Sequence, residues 1–398
     1  MLLKFKDKFH KKTNDKLIVI TNSCLVPYVW PQVYNEFFIC HLATNTKYKI
    51  LRHINHFYEF LDTKLHIFPD KIFDESNLDN TKNYFFSYYC HLCNDLEPIN
   101  NEIWADVVVF YEKIQEFKLN TSNNINFELK ESIKDLSEKL SQFKFRKSKK
   151  ILKIKSLPPV IIDYLDEILV PGAVNNPFKH LQTQWKYYVA YILLSYVGLR
   201  RGELLLLNID SFFMTKSFKN NKNYYYLNVQ NNESDDDERF TELNLKNQYA
   251  TRQIPIGEDI YKLLKIYCEG YRPRSYTPFI FISNRHKSLS VEALNKTFLK
   301  IYQALPIELS KQLEKTHGLT SLSPHMLRHT AASICVSLYP DDNRDNMFAV
   351  MRSYFGWWPD SKMPAYYASS AFNDQMQAKY LDILNRRIST IERIFSHD

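Results

Sequence analysis

The feature that most limits this fold is where its glycines fall. There are seven, Gly172, Gly198, Gly202, Gly257, Gly270, Gly318 and Gly356, and none precedes residue 172. Tight hairpin turns draw on glycine for left-handed backbone, so a long glycine-free stretch favours helices over a β-meander. Within that stretch apolar residues recur at helical spacing over 48–61 (YKILRHINHFYEFL) and 102–117. The first part of the chain therefore reads as a helical bundle. A chain of 398 residues exceeds what one core usually serves, which makes two domains the expectation.

The remainder has a different texture. Residues 182–197 form an apolar helical segment running into Gly198. After it, 211–218, 224–229 and 252–256 are rich in β-branched and aromatic residues and read as strands, and from Val291 onward the pattern is helical again. The fold class expected is mainly α with a small antiparallel β-sheet (α+β). Between the two parts lies KFRKSKKILKIK at 144–155, followed by Leu157-Pro158-Pro159, which reads as an inter-domain linker. The domains expected are thus 1–143, a basic linker 144–157, and 158–398. Arg146, Lys147, Lys149 and Lys150 in that linker are either a solvated charge run or a strap along a phosphate backbone, held through counterion release, and their place between two domains favours the strap.

Charge narrows the partners. Lys and Arg number 52 against 44 Asp and Glu, a net charge of +8, which permits a polyanion without requiring one. No run of eighteen apolar residues suggests a membrane span, and the N-terminus turns polar too soon for a signal peptide. Six cysteines in a chain this long do not make a disulfide framework, so a reducing cytoplasm is expected. Cys90-His91-Leu92-Cys93 has half the spacing of a zinc site but no second half, and is read as buried thiols with no metal. The segment Asn231-Asn232-Glu233-Ser234-Asp235-Asp236-Asp237-Glu238 is read as an exposed acidic hairpin tip, since consecutive carboxylates do not converge on one point.

Three separated segments line up: GLRRGEL at 198–204, PHMLRHT at 324–330, and GWWPDSKMPAYY at 356–367. In this order they resemble the tyrosine recombinases, or phage-integrase family, whose patterns are G-L-R-x-x-E-L, H-x-L-R-H-T and G-(H/W) with a tyrosine nine or ten residues on. The resemblance covers the chain from about Ser156 to the C-terminus. It implies a helical core-binding domain before a catalytic domain, and a site-specific recombinase cleaving and rejoining double-stranded DNA through a 3′-phosphotyrosyl intermediate. It also implies no metal or cofactor, and four protomers acting on two duplexes. A cytoplasmic, DNA-associated integrase of a mobile element fits this reading.

The chemistry accounts for the residue types. Tyrosine attack on a phosphodiester gives a phosphorane with extra negative charge, and guanidinium presents a planar, permanently charged fork to phosphate oxygens. By resemblance these guanidiniums are Arg200 and Arg328. His325 is implied to bond the phosphate or handle the nucleophile's proton, Glu203 to orient Arg200 or His325, and His329 to give support. Trp357 stands where most members have His. An indole donates one hydrogen bond and takes no proton, so it buttresses the nucleophile and donates to a phosphate oxygen. Lys246, ahead of Arg252-Gln253-Ile254-Pro255-Ile256, resembles the family's β-hairpin lysine that protonates the leaving 5′-oxygen, with one residue more than usual before the arginine. A surface lysine in a turn is the alternative.

Two tyrosines compete for the nucleophile. Tyr366 lies nine residues after Trp357 and Tyr367 ten, and adjacent helical residues point about 100° apart, so one alone can enter the site. The W-x-P-x-S-K-M-P-x-x-Y spacing resembles an archaeal-type variant with the tyrosine at ten, which selects Tyr367. Beyond it, Met376, Tyr380, Leu384, Ile388, Ile391 and Phe395 form one helical stripe, read as core or as a contact between protomers. The N-terminal arm, 1–22, either contacts separate DNA sites or pairs with another element. Two other readings stay open: a type IB topoisomerase sharing the catalytic core, and a DNA-binding regulator that has lost catalysis.

Overall fold

A computed structural model describes residues 2–6, 16–73, 78–94, 100–121, 127–143, 145, 156–217, 221–231, 237, 239, 243–337 and 344–371. The chain is mainly α, with two small antiparallel sheets. It divides into two compact units, Met1–Ile151 and Leu152–Asp398. The boundary lies inside the basic run, whose Arg146, Lys147, Lys149 and Lys150 fall outside the described residues. So does the stripe from Met376 to Phe395.

The first unit opens on two strands, β1 (Leu2–Lys6) and β2 (Lys16–Ile20), paired antiparallel with Leu2 opposite Ile20. Both strands lie within the 1–22 arm, so the arm pairs with itself. Helices α1 (Val29–Phe37), α2 (Thr44–Lys64), α3 (Leu78–Asn94), α4 (Asn100–Thr121) and α5 (Phe127–Gln142) follow. Leu51, Ile54, Phe57, Tyr58 and Leu61 make one buried stripe on α2, facing Val107, Phe110, Tyr111 and Ile114 of α4. Each such side chain contributes roughly 1.5–3 kcal/mol on burial. The polar ends inside this aromatic core are paired: Tyr58 donates to Asp70 at 2.8 Å, and the Trp104 indole to the Leu140 carbonyl at 3.0 Å.

Cys90 and Cys93 are exposed, which corrects their reading as buried thiols. Helix α3 buries Phe85, Tyr88 and Leu92, a face that leaves positions 90 and 93 toward solvent. Among the described residues no group of three or more His, Cys, Asp and Glu could hold a metal ion, and no helix is long and apolar enough to cross a membrane.

The second unit is built round α7 (Leu181–Ser195), buried from Tyr188 to Ser195 on every side. A helix apolar all round must be central. The unit begins with α6 (Pro159–Ile168). After α7 come α8 (Arg201–Leu206), the strands β3 (Phe212–Lys216), β4 (Asn223–Val229) and β5 (Arg252–Ile256), then α9 (Glu258–Ile266). The strands form one antiparallel sheet in the order β3-β4-β5, with Leu227 opposite Ile254. Helices α10 (Val291–Gln303), α11 (Ile307–His317), α12 (Pro324–Ser337), α13 (Arg344–Phe355) and α14 (Met363–Ala371) complete the described chain. Helix α12 packs on both α7 and α14. In the acidic run Asp237 is not exposed, correcting the expected tip at that position: it clamps the buried Arg239, whose Nη1 donates to the Leu205 carbonyl at 2.7 Å. The neighbouring carboxylates Glu233, Asp235, Asp236 and Glu238 fall outside the described residues.

Candidate active site

Two left-handed glycines shape the site. Gly198 follows α7 with φ +72°, and a Cβ there would lie 2.6 Å from the Phe355 ring. Gly356 ends α13 with φ +58°, and a Cβ there would lie 2.8 Å from the Arg252 guanidinium. The Trp357 amide donates back to the Arg352 carbonyl at 2.9 Å, a helix stop of the Schellman kind. That stop turns the chain so that Trp357 points inward and Trp358, half exposed, points out against Tyr249.

The released carbonyls hold the arginines. Arg328, on α12, donates to Gly198 O at 2.6 Å and Phe355 O at 2.5 Å; Arg200, at the head of α8, donates to Gly356 O at 2.9 Å. Buried Glu203 sits among three guanidiniums. It pairs with Arg200 at 2.5 Å, with Arg252 at 3.1 and 3.2 Å through its two oxygens, and with Arg328 at 3.6 Å. It also accepts from the Arg200 backbone amide at 2.9 Å. Burial pushes its carboxyl up, but Arg252, then Arg328 and Arg200 outweigh this and hold it at about 2. Burial lowers Arg328 to about 9, with Glu203 opposing the shift, so it remains a cation at neutral pH.

Helix α14 begins Met363-Pro364, with proline in the first turn where its missing amide costs nothing. It sends Tyr367 inward, 2% exposed, and leaves Tyr366 half-buried on the neighbouring face. The Tyr367 ring stacks on Trp357 at 5.6 Å and 10°, and Trp357 stacks on Phe355 at 4.9 Å. The Tyr367 hydroxyl is hydrogen-bonded to His329 Nδ1. Burial raises the Tyr367 phenol well above its ordinary range, and Arg328 pulls it back in part.

The structure therefore brings together Arg200, Glu203, Arg328, His329, Trp357 and Tyr367. His325, in the first turn of α12, is exposed, and its ring meets His329 edge-on at 4.3 Å. Lys246 is exposed on the β4–β5 connection, the segment that delivers Arg252. Glu203 was expected to orient Arg200 or His325; it pairs with Arg200 and with two further arginines. The sequence reading gave His329 only support, and Arg252 no role. The signal for Arg252 lay in its place in the Lys246–Ile256 segment, but its partner stands 49 residues away.

Three arginines, one of them fully buried, on one buried carboxylate, with a buried tyrosine beside them, define a class of site suited to an oxyanion of high charge, such as a phosphoryl group in transfer. Residues 174–338, within the second unit, match the phage integrase family. The matched span holds Arg200, Glu203, Arg252, His325, Arg328 and His329 and ends before Trp357 and Tyr367. Among solved structures the chain is similar to XerA recombinase, at 16% identity and TM-score 0.34 over 88% of this chain and 95% of that one. It is also similar to the Tn1549 transposon integrase in complex with circular intermediate DNA, at 15% identity and TM-score 0.44 over 89% and 100%. A third is XerH site-specific recombinase bound to difH substrate, at 12% identity and TM-score 0.38 over 89% and 94%. No curated protein matches the sequence significantly.

Proposed function

We propose that the protein is a site-specific DNA recombinase that cleaves and rejoins double-stranded DNA through Tyr367. The observation that carries this reading is the buried Tyr367 hydroxyl on His329 Nδ1, with Trp357 stacked on the same ring and the Arg328 guanidinium 5.8 Å from the Trp357 ring.

In the proposed step Tyr367 Oη attacks the scissile phosphorus and a new O–P bond forms. The phenolic proton passes to His329 Nδ1, since burial keeps the phenol protonated until a base takes the proton. Arg200 and Arg328 hold the non-bridging oxygens as charge develops. The indole of Trp357 donates to one of these oxygens while its face supports the tyrosine ring, and exposed His325 donates from the rim. The P–O5′ bond breaks, and the leaving oxygen takes a proton from Lys246. The product is a 3′-phosphotyrosine and a free 5′-hydroxyl. A 5′-hydroxyl from a second strand reverses the step, and because the ester keeps the phosphodiester energy, rejoining consumes no ATP. Neutralisation of the phosphate falls to the guanidiniums, so no metal is assigned a role. The first domain, 1–143, clamps the duplex with Arg146, Lys147, Lys149 and Lys150 of the 144–157 segment along the backbone. Four protomers act on two duplexes, and the setting is a mobile element in the cytoplasm of its host.

The test begins with duplexes selected by the protein from random-sequence DNA, nicked at successive positions. An SDS-resistant adduct with a 3′ linkage, formed equally in EDTA, and exchange between two duplexes are expected. Supercoil relaxation without exchange identifies a type IB topoisomerase instead. Tight binding with no adduct identifies a regulator.

A further inference from the structure

We propose that Arg252 is a positioning residue that takes up the charge of Glu203 so that Arg200 and Arg328 remain available to the phosphate. This rests on the recombinase reading above.

The hydrogen bonds divide the three arginines into two kinds. Arg252 commits four of its five N–H directions: Nε to Tyr354 O at 2.7 Å, Nη1 to Ala250 O at 2.7 Å and Glu203 Oε1 at 3.2 Å, and Nη2 to Glu203 Oε2 at 3.1 Å. Its side chain is 8% exposed. Arg200 spends one hydrogen bond on Glu203 and one on Gly356 O, with its side chain 19% exposed. Arg328 spends its two on backbone carbonyls and meets Glu203 only at 3.6 Å. A bidentate guanidinium–carboxylate pair is the strongest geometry such groups have. Arg252 holds Glu203 in that geometry, while the other two arginines keep N–H groups uncommitted among the described contacts.

The charge count follows. Three guanidiniums on one buried carboxylate leave two positive charges in the cluster. A phosphodiester carries one negative charge, and the phosphorane formed by a phenolate oxygen carries two. A cluster of charge two therefore binds the transition state better than the ground state, which is the condition for acceleration. Without Arg252 the cluster falls to one positive charge and matches bound DNA instead. Arg252 also ties three arms together: the connection carrying Lys246 through Ala250, α8 through Glu203, and the end of α13 through Tyr354. Gly356 has no side chain where that guanidinium passes.

The test compares wild type, Arg252→Gln, Glu203→Gln/Arg252→Gln and Arg252→Lys on the nicked duplex that traps wild type, with DNA affinity and melting temperature recorded for each. Arg252→Gln should lower the adduct-forming rate about 100-fold at saturating DNA, with affinity changed less than about threefold. The double variant, restored to charge two, should regain about 10-fold over Arg252→Gln. Arg252→Lys, which keeps the charge, should stay at least about 10-fold above Arg252→Gln. A double variant no faster than Arg252→Gln, or affinity lost in step with rate, overturns the proposal. Should Arg252→Gln fail to fold, Arg252→Lys decides: a rate as low as that of Arg328→Ala overturns the proposal. A wild type that binds without forming an adduct removes the recombinase reading itself, a result separable from any ranking of the variants.

Discussion

Tyr367 and His329 share a hydrogen bond between the phenol hydroxyl and Nδ1 in a pocket closed to water, while His325, four residues earlier on the same helix, faces solvent. The two histidines therefore differ in what they can do. His329→Gln should lower the adduct-forming rate by about 10²–10⁴ near neutral pH, with partial recovery as pH rises toward ionisation of the phenol itself. His325→Gln should cost less and leave the shape of the pH–rate profile intact. Single-turnover rates between pH 6 and 10 (roughly the span over which His and Tyr ordinarily titrate) check both.

Glu203 makes the fold acid-sensitive in a definite direction. Its carboxyl is held at about 2 against an ordinary 4.5, surrounded by Arg252, Arg328 and Arg200. A depressed folded value means the stabilisation is complete above the unfolded value and is lost as pH falls from about 5 toward 2. The shift corresponds to roughly 3 kcal/mol. Denaturant midpoints across that range should fall for wild type, and the slope should be shallower for Glu203→Gln.

The two motif glycines should not tolerate a methyl group. Gly198→Ala meets Phe355 and Gly356→Ala meets Arg252 and Ala250, both at positive φ. Each should cost roughly 2–4 kcal/mol. Gly202→Ala meets nothing within 4 Å and should be neutral or stabilising by up to about 1 kcal/mol. Thermal denaturation of the three variants separates them.

Trp357 combines a stack with an indole N–H. Trp357→Phe keeps contact with Phe355 and Tyr367 and should hold stability while slowing cleavage about 10-fold, the worth of one lost hydrogen bond. Trp357→Ala should lose roughly 3–5 kcal/mol of stability as well. Parallel melting and adduct assays distinguish the two contributions.

Much of this was legible in the sequence because it is local. The glycine-free stretch and the apolar periods of α2 and α4 announced helices, and helix geometry allowed only one of Tyr366 and Tyr367 to point inward, while the motif resemblance selected Tyr367. What escaped depends on distant partners. Arg252 acquires its role only when β5 passes beside α8, and Glu203 meets it across 49 positions. His329 rather than His325 faces the tyrosine because α12 enters the core one turn after its start. The β1–β2 pair went unseen because alternate lysines interrupt the apolar pattern of β1. The exposure of Cys90 and Cys93 was misread because an aromatic helix buries one face, and those two positions lie on the other.

The most direct test is to trap the DNA adduct, digest it with nuclease and protease, and locate the phosphate on the peptide by mass spectrometry. A phosphonucleotide on Tyr367, with Tyr367→Phe silent and Tyr366→Phe still trapped, is the expected result. Attachment to Tyr366 would show that the half-buried ring reaches the phosphate and that the His329 contact holds a bystander; no attachment to either would contradict the proposed chemistry altogether.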